Sequence, residues 1–335
     1  MQSKTFLLFI LALMLMPAKA ELQPVAAELH ALSSKSLMLD VYSIANKRLV
    51  AVGERGHILV SDDGQQWQQQ ESPVNSTLTK VFFINEQLGW AVGHDSAIIH
   101  TNDGGTTWQL QNYQPSKERP FLDLYFSDES NGVAVGAYGL FYRTNDGGKS
   151  WKQEYHLELL NEDDRLYLEE TKEYDPEIYE EEIASILPHF NRIMSLGDVW
   201  YLVGELGMMA TSADQGKTWL LMDEIYFGSF FDINAITNTN LLVAGLRGNL
   251  FYSGDSGTSW QEIETDTIAL MNDIVVNDDG SVVVLANSGV ILKSNNGTSF
   301  TTQVEEDGKA LIAGVWFNNK LIVASEVGMK VVELQ

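Results

Sequence analysis

One element recurs along this chain at nearly constant spacing, and few folds can accommodate it. An apolar run, a G-x-x-G turn and a second apolar run end in a box of the form [ST]-x-D-x-G-x-[TS]-W. Residues 91–108 read AVGHDSAIIHTNDGGTTW and residues 134–151 read AVGAYGLFYRTNDGGKSW. The first position of the turn falls at Gly53, Gly93, Gly136, Gly204, Gly245, Ala286 and Ser325, with spacings of 40, 43, 68, 41, 41 and 39 residues. A period near 41 with several short strands per period is the signature of propeller blades. The expected fold is therefore all-β, a seven-bladed β-propeller spanning residues 21–335. In the third unit the four strands are expected over residues 121–126, 132–136, 140–144 and 151–155, where β-branched and aromatic residues alternate with Gly/Asp/Asn clusters.

The box explains itself locally. An aspartate can accept turn N–H groups, glycine supplies positive φ, and tryptophan packs a large ring between sheets. Full copies place Asp63 with Trp67, Asp103 with Trp108, Asp146 with Trp151, Asp214 with Trp219 and Asp255 with Trp260. A degenerate copy has Ser294, Asn296 and Phe300. Five of the eight tryptophans occupy this one slot, which points to scaffold.

The seventh unit ends at Gln335 without a box or a fourth strand. Counting back from Asp40 by the interval that separates an outer strand from the next inner strand lands on residues 26–32. Those residues are expected to close the ring as the outer strand of the last blade. The 68-residue spacing contains an acidic insertion over residues 156–190. From Glu154 to Glu182 it carries thirteen acids against Arg165 and Lys172. Partial helical periodicity on both sides of Pro176 predicts two short helices. The connection it occupies leads from one blade to the next, on the face of the second-to-third strand turns. There it is expected to overhang the channel, either as a solvated loop or as a docking arm for a basic partner.

The innermost strand of each blade lines the channel. Thirteen residues before the turn lie Asp40, Lys80, Asp123, Asp232 and Asp273, and one residue closer in the fourth unit lies Arg192. Two readings follow for this ring. It binds a cation, a polar ligand or a peptide side chain at the channel mouth, or its members pair with one another and with backbone N–H groups. Arg55 and Arg247 fall in the turns themselves, where a planar guanidinium suits a carboxylate or phosphate.

Composition narrows the function. There are no cysteines and six histidines, none in an H-x-x-x-H pair, so no metal site and no cofactor are expected. Residues 1–20 have the form of a secretory signal: Lys4, an apolar run over 6–16, and Ala18 and Ala20 before the cleavage point. Its removal leaves 19 basic and 46 acidic residues, a formal charge of −27. That charge repels nucleic acid and anionic membranes and favours basic protein partners. The chain is expected to act outside the cytoplasm as a monomer.

With these motifs the chain resembles the photosystem II stability and assembly factor family, relatives of the bacterial neuraminidase (BNR) repeat proteins. The resemblance covers about residues 40–335 apart from the insertion. It implies a seven-bladed fold and a non-catalytic role in assembling or accompanying a membrane complex. The assembly factors carry an arginine-rich patch, whereas this chain has seven arginines and an acidic insertion. The implied partner is therefore a different membrane protein or a transporter, as for the non-photosynthetic bacterial branch. Sialidases also use these boxes, and the alternative is a glycan-binding protein or sialidase-like glycoside hydrolase. That alternative requires Arg55, Arg192 and Arg247 to converge. Arg192-Ile193-Met194 approximates the R-I-P motif of such enzymes without its proline.

Overall fold

The computed structural model describes residues 23–334; the signal segment at residues 1–20 lies outside them. Seven antiparallel sheets follow one another along the chain, six of four strands and a last one of three. In each sheet the strand order is the chain order, so every blade is a meander. The third blade has strands at Phe121–Phe126, Gly132–Gly136, Phe141–Thr144 and Lys152–Gln153. Each blade is apolar on both faces because it is covered on both sides by neighbouring blades. The second strands Gly89–Gly93, Gly132–Gly136 and Leu241–Gly245 are buried at every residue. Seven apolar clusters form the core, one per joint between blades. Val50, Val52 and Ile58 of blade one meet Val81, Phe83 and Ile99 of blade two, and Val283 and Leu285 of blade six meet Leu321 and Val323 of blade seven.

The boxes occupy the turns between third and outer strands. In the second blade the Thr101 hydroxyl donates to Asp103 (2.8 Å), and Asp103 accepts from the N–H groups of Thr106 (3.1 Å) and Thr107 (2.9 Å). Trp108, Trp151, Trp219 and Trp260 enter the clusters at four successive joints, and Trp67 enters the cluster between blades seven and one. The degenerate copy keeps the bonding pattern with Asn296 in place of aspartate.

The opposite face, termed the top here, carries the turns between second and third strands and the links between blades. In six blades this turn holds two consecutive residues at positive φ, the geometry that suits the right-handed twist of a hairpin. Gly56 shows why the second is glycine: a Cβ there would lie 2.0 Å from the Val74 carbonyl oxygen of the following link. Blade two has Ser96 instead, whose hydroxyl and N–H both donate to the Arg119 carbonyl.

Two features depart from expectation. Residues 26–32 do not complete the last blade, which has three strands: Leu311–Phe317, Lys320–Ser325 and Gly328–Val332. The segment instead follows the outer strand of blade one. The Ala27 N–H donates to the Ser72 carbonyl (3.0 Å), and the Gln69 side chain donates to the Glu28 carbonyl and accepts from the His30 N–H. Its composition is poor in strand formers and it makes one backbone pair where a ladder needs several. The turn at Ser33–Lys35 then crosses the last blade, with the Ser34 carbonyl oxygen 2.1 Å from where a Gly328 Cβ would stand.

The insertion does form two helices, α1 (Glu162–Tyr174) and α2 (Pro176–Glu182). Asn161 caps α1 by accepting the Asp164 N–H, and three acids fill its first turn, where the helix dipole favours negative charge. Pro176 starts α2, where its missing N–H costs nothing. The insertion does not reach out as an overhang. Leu159, Leu160, Leu168 and Leu187 are buried in the cluster between blades three and four, with Phe141, Met208 and Trp219, and Ile183 is buried as well. Glu158 accepts the Trp219 N–H at the outer strand of blade four (3.3 Å), and the Pro188 carbonyl accepts the Gly139 N–H at the top of blade three (2.9 Å). These anchors lie along the groove between the blades, not at the channel ring. Four buried leucines fill an apolar groove, and that burial outweighs extension into solvent.

Candidate functional site: the channel and the top face

In all seven innermost strands the pairing with the second strand skips one residue directly before the ring position: Leu39, Thr79, Leu122, Asn191, Phe231, Asn272 and Ile312. Such a bulge re-aims the following side chain. It turns Asp40, Lys80, Asp123, Arg192, Asp232 and Asp273 toward one another in the channel. All six spacing-derived ring residues are thus brought together, and the seventh position is Ala313.

The ring is dense with ion pairs. Arg192 reaches Asp232 (2.6 Å), Asp273 (3.2 Å) and Asp123 (3.8 Å), and Lys80 reaches Asp40 (3.2 Å). Each aspartate turns its second oxygen to the next blade. Asp40 accepts the Val81 N–H (2.9 Å), Asp123 the Ile193 N–H (2.8 Å), Asp232 the Ile274 N–H (2.6 Å) and Asp273 the Gly314 N–H (2.8 Å). Where the ring residue is a cation and cannot accept, the bulge residue before it takes over. The Thr79 hydroxyl donates to the Phe121 carbonyl and the Asn191 amide to the Phe230 carbonyl, both at 2.7 Å. Six joints are stapled at the channel in this way. Blade seven presents Ile312 and Ala313, which carry no polar side-chain atom, so its joint with blade one has no such staple. That joint is held lower down, where the Asn318 N–H donates to Asn46 (2.8 Å), and by apolar packing.

Four carboxylates and two cations in a buried ring have matched electrostatics only in part. Burial opposes the Arg192 charge, but Asp232, Asp123 and Asp273 outweigh it and hold the guanidinium protonated. Burial and Arg192 oppose the Lys80 charge, and Asp40, Asp123 and Asp273 outweigh them. Burial raises Asp40 despite Lys80, and pushes Asp232 up to about 7 despite Arg192. The ring borders a cavity of about 500 Å³, lined by Asp40, Lys80 and Asp273 and by Asn46, Asn234, Asn277, Asn318 and Asn319. Among the described residues no group of histidine and carboxylate side chains has the geometry of a metal site. The ring's charged groups pair with one another and with neighbouring backbone, as the second of the two sequence readings expects.

Arg55 and Arg247 are exposed in the top turns of blades one and five, with blades six and seven between them. The three arginines that a sialidase-like site needs together do not form one. The signal that spacing could not supply was the bulge, a backbone irregularity without its own residue signature.

The comparisons agree with this architecture. The family model described as photosynthesis system II assembly factor YCF48 matches residues 59–121 and 111–305. No curated protein sequence matches the chain. Among solved structures, YCF48 bound to D1 peptide is similar at 18% identity and a TM-score of 0.65, over 95% of this chain and 99% of that one. YCF48 from Cyanidioschyzon merolae is similar at 16% identity and a TM-score of 0.65, covering 91% and 98%. PorZ, a type-IX secretion component of Porphyromonas gingivalis, is similar at 10% identity and a TM-score of 0.60, over 92% of this chain and 38% of that one. These structural likenesses concern the fold. The family model spans most of the chain, and the protein belongs to the photosystem II assembly factor YCF48 family of β-propellers.

Proposed function

We propose that this protein is a non-catalytic interaction propeller that assists a membrane protein complex or transporter from the periplasmic side, after cleavage behind Ala20. The observation that carries the reading is the state of the channel. Its arginine and aspartates, the groups a catalytic or ligand site would draw on, are bonded to one another and to the blades. What the fold presents outward are turns, links and the acidic insertion. Family membership supports a partner that is a protein, and one solved relative holds a peptide. The insertion supports a basic contact: Glu169, Glu170, Glu173, Glu177 and Glu181 all face solvent.

Affinity capture from detergent-solubilised envelopes tests this. The exported protein is expected to retain one stoichiometric membrane protein in moderate salt. A variant with those five glutamates changed to glutamine, which leaves the buried anchors intact, is expected to lose most of it. Equal recovery by both versions would remove the insertion from the contact, and recovery of nothing by either would overturn the interaction reading.

A further inference from the structure

In six blades the first left-handed residue of the top turn carries a side chain: Arg55, Asp95, Tyr138, Leu206, Arg247 and Ser288, with φ between 54° and 59°. Most are polar, but the sector over blades four and five is not. Leu206 is 74% exposed. The Gly207 N–H next to it donates to the Gly228 carbonyl (2.8 Å), which brings Phe227, 85% exposed, alongside. The Tyr226 hydroxyl donates to the Leu246 carbonyl (3.2 Å) and ties that link to the turn of blade five. There the Gly248 N–H donates to the Ala269 carbonyl (3.0 Å) and brings Ile268, 87% exposed, beside Arg247. Three bonds thus tie together the top-face segments that carry Leu206, Phe227 and Ile268 across two blades. The same turn in blades six, one and two carries Ser288, Arg55 and Asp95.

A grouped set of exposed large apolar side chains marks an interaction site more often than isolated ones do. The flanking links choose the partner. Asp223, Glu224, Glu264 and Asp266 are exposed there, against Arg247 as the one base. Anionic lipid is repelled by that surround, whereas a cationic chain is drawn to it. We propose that the top of blades four and five docks a protein segment in which arginine or lysine alternates with apolar side chains. Leu206, Phe227 and Ile268 anchor the apolar groups and the link acids meet the cations. This rests on the interaction reading and adds its surface and the chemistry of its partner.

The test titrates the protein with a synthetic peptide of alternating arginine and leucine, with glutamate–leucine and arginine–serine counterparts, and with neutral and anionic phospholipid vesicles. The arginine–leucine peptide is expected to bind and its counterparts to bind much more weakly. The double variant Phe227→Ser/Ile268→Ser is expected to weaken binding about tenfold or more. Leu220→Ser, at an exposed site on the outer strand of blade four, is expected to leave binding unchanged. Both variants change exposed side chains, and thermal unfolding verifies that they fold. Undiminished binding by the double variant overturns the proposal, as does vesicle binding without peptide binding. If the double variant still captures the envelope partner as the parent does, the surface is wrong while the interaction reading stands. If no version captures a partner, the interaction reading falls and the peptide titration decides the surface alone.

Discussion

At the rim, Asp103 accepts N–H groups three and four residues ahead of it in the same turn; at the channel, Asp123 accepts an N–H seventy residues ahead, in the next blade. Both are aspartates at recurring positions of the repeat, in five units at the rim and four at the channel, and both serve backbone donors. Their surroundings differ. The rim carboxylates sit in solvent, and the Ser150 hydroxyl and N–H with Thr144 hold Asp146 down to about 2. The channel carboxylates are buried, and Asp232 is pushed up to about 7. A rim bond can form within one hairpin before any blade has a neighbour. A channel bond exists only when two blades are seated, so the ring of aspartates reports completed assembly of the propeller.

The largest test of this contrast is Arg192→Met. It leaves Asp123, Asp232 and Asp273 facing one another without their cation, and removing one partner from a buried cluster costs about 3–5 kcal/mol. Urea unfolding is expected to show that loss. A loss below about 1 kcal/mol would mean the carboxylates reach solvent, and the contrast would fail.

Acidity separates the two regions next. The folded protein keeps a proton on Asp232 that the unfolded chain, titrating near ~4, has released. Its contribution is complete below that value and is lost as pH rises through about 7, at about 1 kcal/mol per pH unit. Asp146 runs the other way. Its contribution is present above ~4 and is lost as pH falls toward about 2. Thermal midpoints are expected to fall on both sides of a maximum between these limits, and Asp232→Asn is expected to flatten only the alkaline side. An unchanged alkaline slope in that variant would assign the slope to other groups.

The smallest effect belongs to the rim. Asp103→Ala removes solvent-exposed hydrogen bonds and is expected to cost about 1 kcal/mol, added to Arg192→Met without coupling. Coupling between the two in a double-mutant cycle would join regions that the structure keeps separate.

Much of this was legible in the residues because a propeller repeats in sequence what it repeats in space. Spacing located the boxes, the blades and six ring residues, and helical periodicity either side of Pro176 located both helices of the insertion. The functional face was less legible. Which ring member serves which blade depends on partners some forty or more residues away, and the bulges that aim them have no residue code. Counting puts residues 26–32 on the last blade and the structure puts them along blade one, because counting fixes a distance along the chain but not a side of the ring. The groove that captures the insertion is formed by Phe141, Met208 and Trp219 from two blades, which no local pattern joins. Leu206, Phe227 and Ile268 became a group only through three backbone and hydroxyl bonds.

The joint without a channel staple is also where the first blade meets the last. Force between blades one and seven would load the apolar cluster of Leu49 and Ile322 and the Asn318–Asn46 hydrogen bond, without the channel staple found at the other six joints. The propeller is thus a clasp with one plain catch. A force that opens the circle acts first on that catch and leaves the seven blades, joined by six staples, as a single spring.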